Sequence, residues 1–118
     1  MASRVYTITI DAHDPAALAE FWRRALDYRV TVTTAEEVVI EPMGDTPGSA
    51  ILFGAAPDEK VVKNRLHFDL APHDQAAEVE RLLALGARHT DIGQGEVPWV
   101  VLADPEGNEF CVLTPRES

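Results

Sequence analysis

The chain has 118 residues, 46% of them hydrophobic and 25% charged, with a formal net charge of −10 and a single cysteine, Cys111. That is one soluble globular domain with enough chain for its own core. It has no partner for an intrachain disulfide, and it lacks the clustered Lys and Arg that nucleic acid or an anionic membrane demands. No basic-then-apolar leader opens the sequence, and the longest apolar run, 97–103, is too short to cross a bilayer. A cytoplasmic protein is expected, with no nucleic acid or membrane partner. The acidic charge is spread along the chain, as solubility requires; attraction of a cationic ligand is the sharper alternative.

Residues 4–10 alternate Val5, Tyr6, Ile8 and Ile10 with polar positions, which predicts a strand. Asp14-Pro15 supplies an N-cap carboxylate and a proline at the first helical position. Leu18, Phe21, Trp22, Ala25 and Leu26 then recur at helical spacing, so 15–26 is a helix with one apolar face and Trp22 in the core. Two β-rich runs, 29–33 and 37–41, are expected to pair. Residues 42–49 hold two prolines and two glycines and form a loop, and 50–53 is a fourth strand. Residues 54–63 are polar and turn-rich, a linker.

The order then repeats. Residues 65–71 alternate as a strand, with Leu66, Phe68 and Leu70 on a face meeting the next helix and Arg65, His67 and Asp69 on the other. Asp74 caps a helix whose stripe is Ala76, Val79, Leu82 and Leu83, and Gly86 ends it. Strands follow at 87–91, 98–103 and 109–114, the last two joined by the turn Asp104-Pro105-Glu106-Gly107.

Residues 7–20 and 67–80 are two versions of one segment. His13/His73, Asp14/Asp74, Ala16/Ala76, Ala17/Ala77 and Glu20/Glu80 coincide at a spacing of 60. A period of half the chain means a duplicated module, since solenoids need three or more short repeats. The expected organisation is one domain, 1–118, with a βαβββ module at 4–53, a linker at 54–63 and a second βαβββ module at 64–115.

This order, the duplication and three strings together resemble the vicinal oxygen chelate superfamily, in its glyoxalase-like branch. The strings are Phe21-Trp22, then 63–70 (Lys-Asn-Arg-Leu-His-Phe-Asp-Leu), then 104–110 (Asp-Pro-Glu-Gly-Asn-Glu-Phe). The superfamily includes glyoxalase I, extradiol dioxygenases, and fosfomycin and bleomycin resistance proteins. The resemblance implies an α+β fold in which the modules form a cup-shaped mixed β-sheet with helices outside. It implies a divalent metal in the cup, held by His or Gln, Glu, His and Glu from the first and last strand of each module, and acting as a Lewis acid. Those positions land on Thr7, on the strand 50–53, on His67 and on Cys111. The strand 50–53 has no ligand side chain, and Thr is a poor donor. No metal cofactor is therefore expected, His67 and Glu109 being the weak metal candidates.

The resulting expectation is a glyoxalase-like protein that holds a small molecule in the cup, touching Thr7, Phe53, Arg65, His67, Trp99 and Cys111. His67 is the candidate catalytic residue, its ordinary pKa suiting proton transfer; a histidine merely held by Asp69 is the structural alternative. Cys111 is a small buried hydrophobe or a nucleophile. Trp99 is core or a flat ligand wall, and Phe53 fills the metal's space. Lys60, Lys63 and Arg65 are a solvated linker or a clamp for an anionic ligand. His13 and His73 sit at the surface beside helix starts. Two alternatives stand beside this: a metal-dependent lyase, isomerase or dioxygenase using His67 with Glu109 or Asp69, and a bleomycin-resistance-like drug-binding protein. A homodimer is expected from the open sheet edges.

Overall fold

Both helices begin where a carboxylate can satisfy an orphan amide. In the computed structural model, which describes residues 2, 4–57 and 60–116, Asp14 and Asp74 each accept from the amide three residues on, Ala17 and Ala77, at 3.1 Å. Helix α1 (Pro15–Leu26) has Pro15 in its first turn and ends at Asp27 in the left-handed region, φ 56°. Helix α2 (Gln75–Leu85) ends at Gly86, whose φ of 123° suits a residue without Cβ.

The chain divides into two units, Met1–Glu59 and Lys60–Ser118. The first holds β1 (Thr7–Ala12), α1, β2 (Arg29–Thr33), β3 (Glu37–Glu41) and β4 (Ala50–Ala55), with sheet order β1-β4-β3-β2. The second holds β5 (Asp69–Leu70), α2, β6 (Arg88–His89), β7 (Val100–Ala103) and β8 (Glu109–Val112), in the order β5-β8-β7-β6. Both units put their first strand parallel to their last and keep the remaining neighbours antiparallel. One topology written twice is what the repeat predicts.

The core of the first unit is a helix–sheet layer. Leu18, Phe21, Trp22 and Ala25 of α1 are buried, as are Val38 and Ile40 of β3 and Ile51 and Phe53 of β4. Val38 faces Phe53 and Ile40 faces Ile51 in register, so these side chains share one sheet face, and α1 packs on both strands. Phe21 and Trp22 meet edge to face, centroids 5.1 Å apart. In the second unit the buried residues include Val79 and Leu82 of α2, Val101, Leu102 and Ala103 of β7, and Phe110, Cys111 and Val112 of β8. Among the described residues no helix is long and apolar enough to cross a membrane.

Several strand bounds differ from the sequence reading. β1 starts at Thr7 rather than residue 4, because Val5 and Tyr6 stand in solvent. β4 runs through Gly54 and Ala55, which pair with Asp11 and Ala12, so the linker begins later than residue 54; its residues 58 and 59 lie outside the described residues. The largest difference is at 65–71. Only Asp69 and Leu70 form strand there, and Leu66 is 89% exposed instead of facing α2. The alternation is present in the sequence, but before Asp69 the segment is irregular and is tied at Lys60 and Asn64 to Glu109 of β8.

Those contacts start from the β7–β8 turn. Asp104 is fully buried, and its Oδ1 accepts from the amides of Glu106 and Asn108, both at 2.9 Å. Asn108 Nδ2 donates to both carboxylate oxygens at 3.0–3.1 Å. Pro105 presets the turn, and Gly107 takes φ 88° to let its amide reach the Asp104 carbonyl at 2.9 Å. The motif Asp-Pro-Glu-Gly-Asn is thus a self-satisfied corner that delivers β8 in register. Removing the carboxylate leaves two partly buried amides without their acceptor. Asp104→Ala should lower stability by about 3 kcal/mol or more, read as a shift in urea midpoint, and Asp104→Asn by less.

Candidate functional site

β5 and β8 run parallel, and their register places Asp69 opposite Cys111 and Leu70 opposite Val112. Directly paired residues present side chains to the same sheet face. The ladder is completed by the amides of Cys111 and Leu113, which donate to the carbonyls of Phe68 and Leu70 at 2.9 Å. His67, two residues before Asp69, turns its ring to the same side: Nε2 lies 3.1 Å from Asp69 Oδ1. One donor atom from each of His67, Asp69 and Cys111 lies within 4.8 Å of the other two.

The three differ in exposure. The His67 and Asp69 side chains are 40% and 51% exposed, while Cys111 is buried. Burial pushes the Cys111 thiol above its ordinary pKa, and the neighbouring Asp69 charge and the thiol's hydrogen bond to that carboxylate add to it; Lys63 pulls weakly the other way. The sulfur is therefore a protonated donor to Asp69, which is the opposite of the setting a cysteine nucleophile needs. Replacing Asp69 by Asn removes the negative charge and should lower the thiol pKa. Iodoacetamide should then alkylate Asp69→Asn faster than the wild type at about pH 8, followed by mass spectrometry of Cys111; equal rates would deny the contact.

Glu109 lies on β8 two residues before Cys111 but is committed elsewhere. Its Oε1 accepts from Lys60 Nζ at 2.8 Å and its Oε2 from the Asn64 amide at 3.1 Å. Both side chains of the ion pair are largely buried. Lys60 also donates to the Val62 carbonyl, and Asn64 Nδ2 reaches Asn108 Oδ1 at 3.4 Å. Burial alone would raise the Glu109 pKa, but the bonds from Lys60 and Asn64 outweigh it and hold it below the ordinary carboxylate value. A depressed carboxylate stabilises the fold fully above its unfolded pKa of about 4.5, and this is lost as pH falls below that. Between about pH 6 and pH 3.5 the wild type should lose more stability in urea unfolding than Glu109→Gln, which is already uncharged.

Of the residues expected to touch a ligand, His67 and Cys111 come together, joined by Asp69, which the sequence reading offers both as the group that merely holds His67 and as an alternative metal donor. Arg65 is exposed in the irregular segment before β5. Trp99 is 37% exposed just before β7, where Gln75 Nε2 holds the Pro98 carbonyl at 2.8 Å. Thr7 and Phe53 belong to the first unit; Thr7 is half-buried at the start of β1, and Phe53 is fully buried on the helix-covered face. Phe53 is therefore core in that unit. Lys60, one third of the supposed anion clamp, is neutralised by Glu109.

The metal arrangement that the superfamily resemblance implies is not furnished at its four positions. Thr7 offers a hydroxyl, and β4 reads Ala50-Ile51-Leu52-Phe53, with Ile51 and Phe53 buried and no donor side chain on the strand. Only His67 and Cys111 carry ligand atoms suited to a divalent ion.

A family profile described as Glyoxalase-like domain matches residues 7–113. No curated protein matches the chain. Among solved structures, it is similar to a glyoxalase/bleomycin resistance protein/dioxygenase family enzyme from Burkholderia phytofirmans PsJN, with TM-score 0.70 and 20% identity over 93% of this chain and 97% of that one. A bleomycin resistance determinant encoded on a transposon gives TM-score 0.61 and 18% identity, covering 98% of this chain and 100% of that one. A mutant fosfomycin resistance protein from Listeria monocytogenes, complexed with Mn(II) and a dihydroxypropylphosphonic acid, gives TM-score 0.72 and 18% identity over 98% and 93%. At these identities the likeness establishes the fold.

Proposed function

The chain belongs to the glyoxalase-like domain family of the vicinal oxygen chelate superfamily, and from that premise we propose that it binds a small molecule at the polar corner made by His67, Asp69 and Cys111. The observation that carries this is the convergence of an imidazole, a carboxylate and a thiol within 4.8 Å on one face of the second sheet. Two of the three are open to solvent, so a ligand can reach them. The corner offers both donors and acceptors, the few placed polar groups that fix a ligand's orientation. Val101, directly opposite Cys111 on β7, is buried and gives the same face an apolar floor.

The four-position metal arrangement of the superfamily is not part of this proposal, because β4 supplies no donor. Drug sequestration is one version of the reading. It draws on the fold shared with the bleomycin resistance determinant. A homodimer belongs to the proposal as well, since β2 and β6 each end a sheet with one partner strand; sedimentation equilibrium reads it.

The test is equilibrium dialysis of untagged protein against a panel of small metabolites and drugs, bleomycin and fosfomycin included. At least one compound should be retained stoichiometrically. His67→Ala should weaken its binding by roughly tenfold, the loss of one hydrogen bond. A panel wholly unretained, or retention unchanged in His67→Ala, overturns the proposal.

A further inference from the structure

A lone histidine and cysteine are too few ligands for a divalent ion, but the second module does not leave them alone. Asp69 stands directly opposite Cys111 across the parallel ladder and within 3.1 Å of His67 Nε2. We infer that His67, Asp69 and Cys111 form a three-donor site, contained within the second module, for a thiophilic divalent cation of the Zn2+ type. It rests on the reading of this corner as the ligand site and states what the corner holds.

The geometry supports the donor count. Zn–N, Zn–O and Zn–S bonds of about 2.0–2.3 Å place tetrahedral donors roughly 3.3–3.8 Å apart. The three donor atoms here lie within 4.8 Å of one another, close to that spacing. Three protein ligands plus one open position is the arrangement of zinc sites that also bind a small molecule. On binding, Cys111 Sγ exchanges its proton for the ion, and that proton leaves to water.

The donor types decide the class of cation. The superfamily set is drawn from both modules and rich in carboxylate. Here Glu109, the one further carboxylate on β8, is held by Lys60 and Asn64. What remains is one nitrogen, one oxygen and one sulfur, which favours Zn2+ or Co2+ over Mg2+ or Mn2+.

Untagged, chelator-stripped protein is titrated with Co2+ alone and followed by absorption. A sulfur-to-cobalt charge-transfer band in the near ultraviolet should rise and saturate at about one equivalent per chain, and Zn2+ should displace it. Cys111→Ser should abolish the band, and Asp69→Asn should weaken Co2+ binding by about tenfold or more. Circular dichroism checks that both remain folded; Asp69 is exposed, so it reports even if the buried Cys111 variant does not fold. Thr7→Ala and the pair His13→Ala/His73→Ala should leave the titration unchanged. Absence of the band, its survival in Cys111→Ser, or loss of binding in Thr7→Ala overturns the inference. A compound retained in dialysis by chelator-stripped protein that shows no cobalt band defeats this inference while sparing small-molecule binding. A saturating band with an unretained panel does the reverse.

Discussion

The second module hangs on one carboxylate. β5 is only two residues long, too short a ladder to define the path of the chain before it. Glu109 does that instead, accepting from Lys60 Nζ and from the Asn64 amide and so pinning residues 60–64 along β8. The pair is partly sequestered from water, where a charge-assisted bond is stronger than at the surface and harder to leave unmade. Glu109 is in turn placed by the buried Asp104, whose corner fixes where β8 begins. The contacts run from the Asp104 corner through Glu109 to Lys60 and Asn64, the residues that precede β5 and His67.

The two modules show how a duplicated scaffold divides labour. In the first, β1 pairs with β4 over six consecutive positions, and the face away from α1 carries Thr7, Thr9 and Asp11 against Ala50, Leu52 and Gly54. In the second, the corresponding positions are His67 and Asp69 beside Glu109 and Cys111. The first copy kept the regular ladder and little chemistry on that face. The second lost most of its ladder and gathered a titratable cluster. In the second unit the short ladder itself sets Asp69 opposite Cys111, and the irregular segment before it contributes only His67. The two units share one topology but differ in the side chains they carry on that face.

Much of this was legible in local patterns. Asp14-Pro15 and Asp74 announce both helices because capping is a contact between residues three apart. The strands 29–33 and 37–41 are read from their β-branched content, and the duplication gives the element order βαβββ twice over. The fold family is carried by strings such as Asp104-Pro105-Glu106-Gly107-Asn108, yet their role is structural: they close a turn. What local pattern could not give was anything decided across the chain. Lys60 and Glu109 are 49 positions apart, so the bond between them has no local signature. Leu66 alternates perfectly and still faces solvent. Asp69 and Cys111 become neighbours only through the parallel register, and no spacing rule within β5 reveals that.

The commitment of Glu109 also determines the chemistry of the corner it supports. Glu109 and Cys111 are two residues apart on one strand and so face the same way. Were Glu109 unpaired, the local donors would be an imidazole and two carboxylates beside the thiol, a set that hard cations satisfy well. Lys60 removes that carboxylate from use by neutralising it within hydrogen-bond distance. The remaining donors are His67, a half-exposed Asp69 and a buried sulfur, and their preferences differ in kind from an oxygen-rich site. One structural ion pair thus ties the chain before His67 to β8 and, on the proposed reading of the corner, leaves sulfur as the donor that distinguishes it from an oxygen-lined one.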